Sequence, residues 1–268
     1  MRRISWMLAG VLALSGPASP SSGGATFKTV ADASGWCDDG NGSWQEVRHC
    51  EVREAVWSAT GAPIAVDAQP NGGIRVTGWD RSEVRLLVKV VASGRTIEEA
   101  RARAAAVRID TDGTIQASSP REDKAWVSFR LEVPRASVLA LTSHNGGINL
   151  EDLSGTVEAR TTNGGVHLER MAGKVTARTQ NGGVHVDLEG DTWDGEGLDV
   201  QTSNGGVHLE VPAGYNAHLV TSTVNGRIHA PAALRARFDG KRLDTELGRG
   251  GAPVRIQTTN GGVHLNQG

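Results

Sequence analysis

The sequence predicts an all-β chain wound as a parallel β-solenoid, β-helix or β-roll-like, with coils of roughly 18–23 residues and one short α-helix excursion near 96–107. Three observations predict it. The hexapeptide NGGVHL or NGGVHV stands at 163–168, 181–186, 204–209 and 260–265, with the variants NGGINL at 145–150 and NGRIHA at 225–230. Between these corners, aliphatic and polar residues alternate with the period of two that marks a strand. The third is composition: 35 glycines, with few aromatics and a charge balance of −2. Such a chain builds a thin aliphatic core between many turns, and its interspersed charges leave no electrostatic footprint for nucleic acid.

In chain order, Arg2 and Arg3 precede an apolar run from Ile4 to Leu14, and small residues and prolines follow. This is the pattern of a secretory signal peptide, read here as 1–24, and the run is too short for a permanent membrane anchor. Its removal would take the net charge from −2 to −4, since Arg2 and Arg3 are its only charges. No transmembrane segment is expected in the mature chain, which is read as exported to the periplasm, cell surface or medium. Residues 25–62 form a small N-terminal segment, too short to fold alone without its disulfide. Cys37 and Cys50 are the two cysteines, and parity in an exported chain predicts that they pair.

The solenoid domain is read over 63–268. Asn71 opens its first corner. Thr96 and Glu99 have capping-box spacing ahead of an Ala- and Arg-rich stretch, which places a helix in an excursion at 94–108. Regular coils occupy 142–268, their corners opened by Asn145, Asn163, Asn181, Asn204, Asn225 and Asn260. One unit, NGGVHLERMAGKVTARTQ, reads as strand, turn, strand, turn. It cannot bury its apolar face alone, so consecutive coils are expected to stack. Val166, Val184, Val207 and Ile228 form one inward row; Leu168, Val186, Leu209 and Ala230 form a second. Thr161, Thr179, Thr202, Thr223 and Thr258 form a third, each hydroxyl expected to bond a turn amide locally. Asn-Gly is expected to supply positive φ, the second Gly close approach, and the stacked Asn side chains a ladder.

The repeated T-x-N-G-G-[VI]-x-[LV] corners resemble the bacterial "putative adhesin" family. CEVRE at 50–54, NGGIRVTGWDRSEV at 71–84 and GRGGAPVRIQTTNGGVHL at 248–265 also fit it. The likeness spans roughly 50–268. It implies an exported solenoid domain and adhesion, and it carries no catalytic residues over.

Outward positions hold Asn149, His167, His185, His208, His229 and His264, with Glu151, Glu169, Asp187 and Glu210 two residues further on. A solvated face of His–acid pairs is the expected reading, because ligands on a flat column diverge. The alternative is a Zn²⁺ or Cu²⁺ site drawn from His167, His185, His208, His229, Glu169, Asp187 and Glu210. DLEGDTWDGEGLD at 187–199 is an acidic surface loop whose Asp191, Asp194 and Glu196 would be the ligands of a Ca²⁺ site. Trp193, at its tip, is read as an exposed contact residue. The motifs G-x-S-x-G, H-E-x-x-H and strand-to-helix G-x-G-x-x-G are missing. The leading expectation is therefore a non-enzymatic, adhesin-like binding protein without a cofactor, whose partner is a protein, a surface glycan or a second copy. A carbohydrate-active enzyme on the same scaffold and a periplasmic metal-binding protein using the His column are the alternatives.

Overall fold

A computed structural model describes residues 24–31, 35–37, 47–68, 70–120, 124–231, 234 and 240–268. The signal-peptide reading at 1–24 lies outside these residues except for Gly24. Among the described residues the chain is mostly β, with parallel strands in two stacked sheets and the helix α1 (Ile97–Ala105).

The N-terminal part contributes β1 (Lys28–Val30), β2 (Val47–Ser58), β3 (Ile64–Asp67), β4 (Ile74–Trp79) and β5 (Glu83–Gly94). Helix α1 (Ile97–Ala105) follows, then β6 (Arg108–Asp110), β7 (Thr114–Ser118) and β8 (Ala125–Pro134). The coils then supply paired strands: β9 (Leu139–Ser143) with β10 (Ile148–Glu151), β11 (Thr156–Asn163) with β12 (Val166–Glu169), and β13 (Lys174–Asn181) with β14 (Val184–Asp187). They continue as β15 (Gly197–Asn204) with β16 (Val207–Val211), and β17 (Ala217–Asn225) with β18 (Ile228–His229). Strand β19 (Arg242–Leu247) precedes the last pair, β20 (Pro253–Asn260) with β21 (Val263–Gln267).

One sheet runs β1-β2-β5-β8-β4-β10-β12-β14-β16-β21-β18 and the other β19-β17-β20-β15-β13-β11-β9-β3-β7-β6. Each coil gives one strand to each sheet, so its apolar side faces the opposite sheet. Ile148, Val166, Val184, Val207 and Val263 are all buried, as are Leu150, Leu168, Val186, Leu209 and Leu265. Val157, Val175, Leu198 and Val254 face them from the second sheet. Alternation of period two puts every second residue outside, and in-register pairing lines those residues up.

The stacking differs from the expected arrangement in two respects. First, the coils do not follow chain order: β20 pairs with β15 on one side and β17 on the other, and β21 lies between β16 and β18. The last coil is inserted, and the coil carrying Asn225 becomes the end of the stack. Second, the ends are antiparallel. Strands β1, β2, β5 and β8 pair antiparallel along their length, and β19 runs antiparallel to β17. Strand β2, from the segment 25–62, thus lies in the first sheet, and Cys50 within it pairs with Cys37 at a Cα separation of 5.8 Å.

The corner is made by seven asparagines. From Asn71 through Asn145, Asn163, Asn181, Asn204 and Asn260 to Asn225, each carboxamide nitrogen donates to the preceding oxygen at 2.8–2.9 Å. Positive φ plays no part here, since the Asn-Gly-Gly glycines are not among the residues that adopt it. Close approach explains the first glycine instead: a Cβ on Gly164 would lie 2.2 Å from the Gly146 carbonyl oxygen. The threonine row also works between coils. The Thr161, Thr179, Thr202, Thr258 and Thr223 hydroxyls each donate to a glycine carbonyl in the adjoining coil at 2.8–2.9 Å, where a local turn amide was expected.

Helix α1 starts as its capping residues direct: the Thr96 hydroxyl accepts from the Glu99 amide. Ala100 and Ala104 are its buried residues. Arg53, reaching over from β2, donates to the carbonyls of Ala104 and Val107 and so satisfies the helix C-terminus.

Candidate functional site: the imidazole face

The outward row of the first sheet starts with Arg130 on β8 and Arg75 on β4, passes Asn149 on β10, and becomes five histidines. Their order is His167, His185, His208, His264, His229, because the inserted coil places His264 before His229. The rings stack with centroid spacings of 4.9, 5.2, 6.2 and 4.5 Å, set by the strand repeat. Along their outer side runs a groove of about 530 Å³ lined by His167, His185, His208 and His264 and by the corner glycines.

Two residues further on, the row Glu151, Glu169, Asp187, Glu210, Asn266 lies beside the rings. Side chains at i and i+2 share a face of the strand, so His167, His185 and His208 each meet the acid two residues on. His185 Nε2 is 3.0 Å from Asp187, His208 Nε2 is 3.3 Å from Glu210, and His167 Nε2 is 3.6 Å from Glu169. His264 is followed by Asn266, whose amide turns 3.1 Å toward His208.

Arg170 divides the acidic row. It follows β12 in a left-handed conformation, φ 50°, and contacts Glu151, Glu169 and Asp152. Its hydrogen bonds, with those from Arg135, hold the Asp152 carboxyl below the usual aspartate range. Among the described residues, Asp187 and Glu210 have no such cation: their ion-pair partners are histidines.

Of the expected metal ligands, the structure gathers His185, Asp187 and Glu210, whose ligand atoms all lie within 4.8 Å of one another. His167, His208, His229 and Glu169 lie in the same columns but outside that group. No comparable group forms at Asp191, Asp194 and Glu196 among the described residues. The loop is arranged differently: Glu196 pairs with Lys174 at 3.0 Å, and the Asp191 carbonyl accepts from Asn216. Trp193 is not an exposed contact residue. It is 4% exposed, and its indole N–H donates to the Gly173 carbonyl.

A cleft of about 870 Å³ at the antiparallel end went unread in the sequence. Trp57, Trp79, Arg81, Ile64, Val84 and Arg135 are among its walls. Its residues come from strand ends far apart in the chain, so no local motif marks it. Among the described residues no helix is long and apolar enough to cross a membrane.

These two sheets of in-register coils, closed at a ladder of asparagines, define a class of stacked β-coil domains. The chain belongs to the Toastrack DUF4097 family, whose model matches residues 128–266. No curated protein matches it in sequence. Among solved structures it is similar to a "putative cell adhesion protein" from Clostridium sporogenes, with a TM-score of 0.46 and 10% identity, over 82% of this chain and 100% of that one. It is also similar to a "putative adhesin" from Bacteroides fragilis, with a TM-score of 0.40 and 12% identity, over 84% and 98%. A third is a "putative lipid binding protein" from Parabacteroides distasonis, with a TM-score of 0.30 and 8% identity, over 81% and 96%.

Proposed function

We propose that this chain is an exported, non-enzymatic, adhesin-like binding protein of the bacterial cell envelope or exterior, which presents its imidazole face to a protein or glycan. The observation that carries this reading is the repetition of outward residues. His167, His185 and His208, and the acids beside them, occupy equivalent register positions in successive coils, forming a flat periodic surface beside an open groove. Catalysis calls for one constellation that departs from its neighbours, whereas a periodic partner surface is met by a periodic array. The Cys37–Cys50 disulfide supports export, since such bonds persist in oxidising compartments.

The test is a glycan array and a pull-down from envelope fractions, run with wild type and with a His167, His185, His208→Thr triple variant. A ligand retained by wild type and lost by the folded variant is the expected result. Equal retention by the two proteins would remove the imidazole face from the account. Release of reducing ends from a polysaccharide panel would replace binding with catalysis.

A further inference from the structure

We propose that His185, Asp187 and Glu210 form a surface site for one divalent cation of the zinc type, its remaining coordination position facing solvent. The site goes beyond the binding role above and needs no partner for its test.

The donor set is the first ground. One imidazole nitrogen and two carboxylates suit a borderline cation, and the two negative charges offset its charge. Geometry is the second. Ligand atoms bound 2.0–2.2 Å from a tetrahedral ion lie about 3.3 Å apart. His185 Nε2 and the Asp187 carboxylate are already 3.0 Å apart, and all three ligand atoms fall within 4.8 Å. Modest rotamer changes at three partly exposed side chains would close the remaining distance. The column does not diverge here, because His185 and His208 each lean along the strand to an acid and β16 sets Glu210 beside Asp187.

The neighbours explain why the site is confined to this place. Toward β12, Arg170 engages Glu169 and Glu151, so a cation already neutralises those carboxylates. Toward β21, the acidic row ends at Asn266. Only between β14 and β16 do two carboxylates without an Arg or Lys partner among the described residues meet the imidazoles. The side chains of His185, Asp187 and Glu210 are 37%, 30% and 53% exposed, so an ion enters without any opening of the fold.

The experiment is isothermal titration of the chelator-treated exported chain with Zn²⁺ at neutral pH, with Ca²⁺ as competitor. Wild type is expected to bind one ion per chain. His185→Thr and Asp187→Asn should each weaken binding at least about tenfold, while His229→Thr, at the end of the same column, should not. Circular dichroism identifies folded variants, and Glu210→Gln replaces Asp187→Asn if the latter misfolds. Absence of saturable one-to-one binding, undiminished binding by His185→Thr, an equal loss in His229→Thr, or competition by equimolar Ca²⁺ would each overturn the proposal.

Discussion

A Cβ added to Gly182 would sit 2.0 Å from the Gly164 carbonyl oxygen, whereas one added to Gly183 would meet the Gly206 oxygen at 3.4 Å. The first contact can be relieved only by moving backbone apart; the second is ordinary van der Waals contact. Gly182→Ala is therefore expected to destabilise by about 1–3 kcal/mol or more and Gly183→Ala by far less, read from urea midpoints of the two variants. Reversed sensitivities would mean that the corner is not packed as described. Thr179 makes a related point: its hydroxyl donates to the Gly164 carbonyl at 2.8 Å, and the residue is only 4% exposed. Thr179→Val keeps the shape and leaves that oxygen without this donor, an expected cost of about 1–3 kcal/mol by the same measurement. The corner residues and the ladder of stacked Asn side chains were legible in the repeat; the positive φ expected of Asn-Gly is not adopted, and the close approach falls on the first glycine and not the second. Asn-Gly suggests a turn when one chain is considered alone, and here the constraint comes from the coil next door.

Among the elements, the inserted last coil was the feature least legible in the sequence. The coils carry nearly the same corner and the same inward rows, so most fit beside one another and the aliphatic pattern leaves their order open. One residue does mark it. The second glycine of each corner faces the next coil, and the coil at 225–230 alone replaces it with an arginine, Arg227. A side chain as long as arginine there fits an edge better than a further coil, and among the described residues β18 stands at the end of its sheet, paired with β21. Gly262, one coil inward, has its Cβ position 3.2 Å from the Arg227 carbonyl oxygen. Deleting residues 253–268 would remove the parallel partner of β17 and leave β17 and β19 as a separate pair. Hydrogen exchange should then show lost protection across 217–247 as well, while strands β11 to β14 remain protected. Retained protection at 217–229 would indicate that β17 can dock directly on β15.

Across the whole molecule, parallel coils are placed between antiparallel ends, and the N-terminal end is held by charge as well as by packing. Lys28 on β1, Glu54 on β2, Arg85 on β5 and Glu132 on β8 form a chain of ion pairs at 2.8, 2.7 and 3.1 Å. This network was not legible in the sequence, since it depends on an antiparallel register that brings residues 31 and 47 positions apart together. Glu54 is its buried member, 7% exposed, and hydrogen bonds from Lys28 and then Arg85 hold its carboxyl below the ordinary glutamate value of about 4.3. A folded-state pKa below the unfolded one means that the carboxylate's contribution is complete above the unfolded value. It is then lost as pH falls through the folded value, once both states carry the proton. Urea unfolding from neutral to strongly acidic pH should show this directly. Wild type should lose stability below about pH 4.3, and Glu54→Gln should start weaker at neutral pH with a shallower acid slope. Hydrogen exchange should place the first acid opening in β2 and β5, which meet at that ion pair, ahead of the coils at 156–211. Parallel pH profiles for the two proteins would show that Glu54 does not anchor this end.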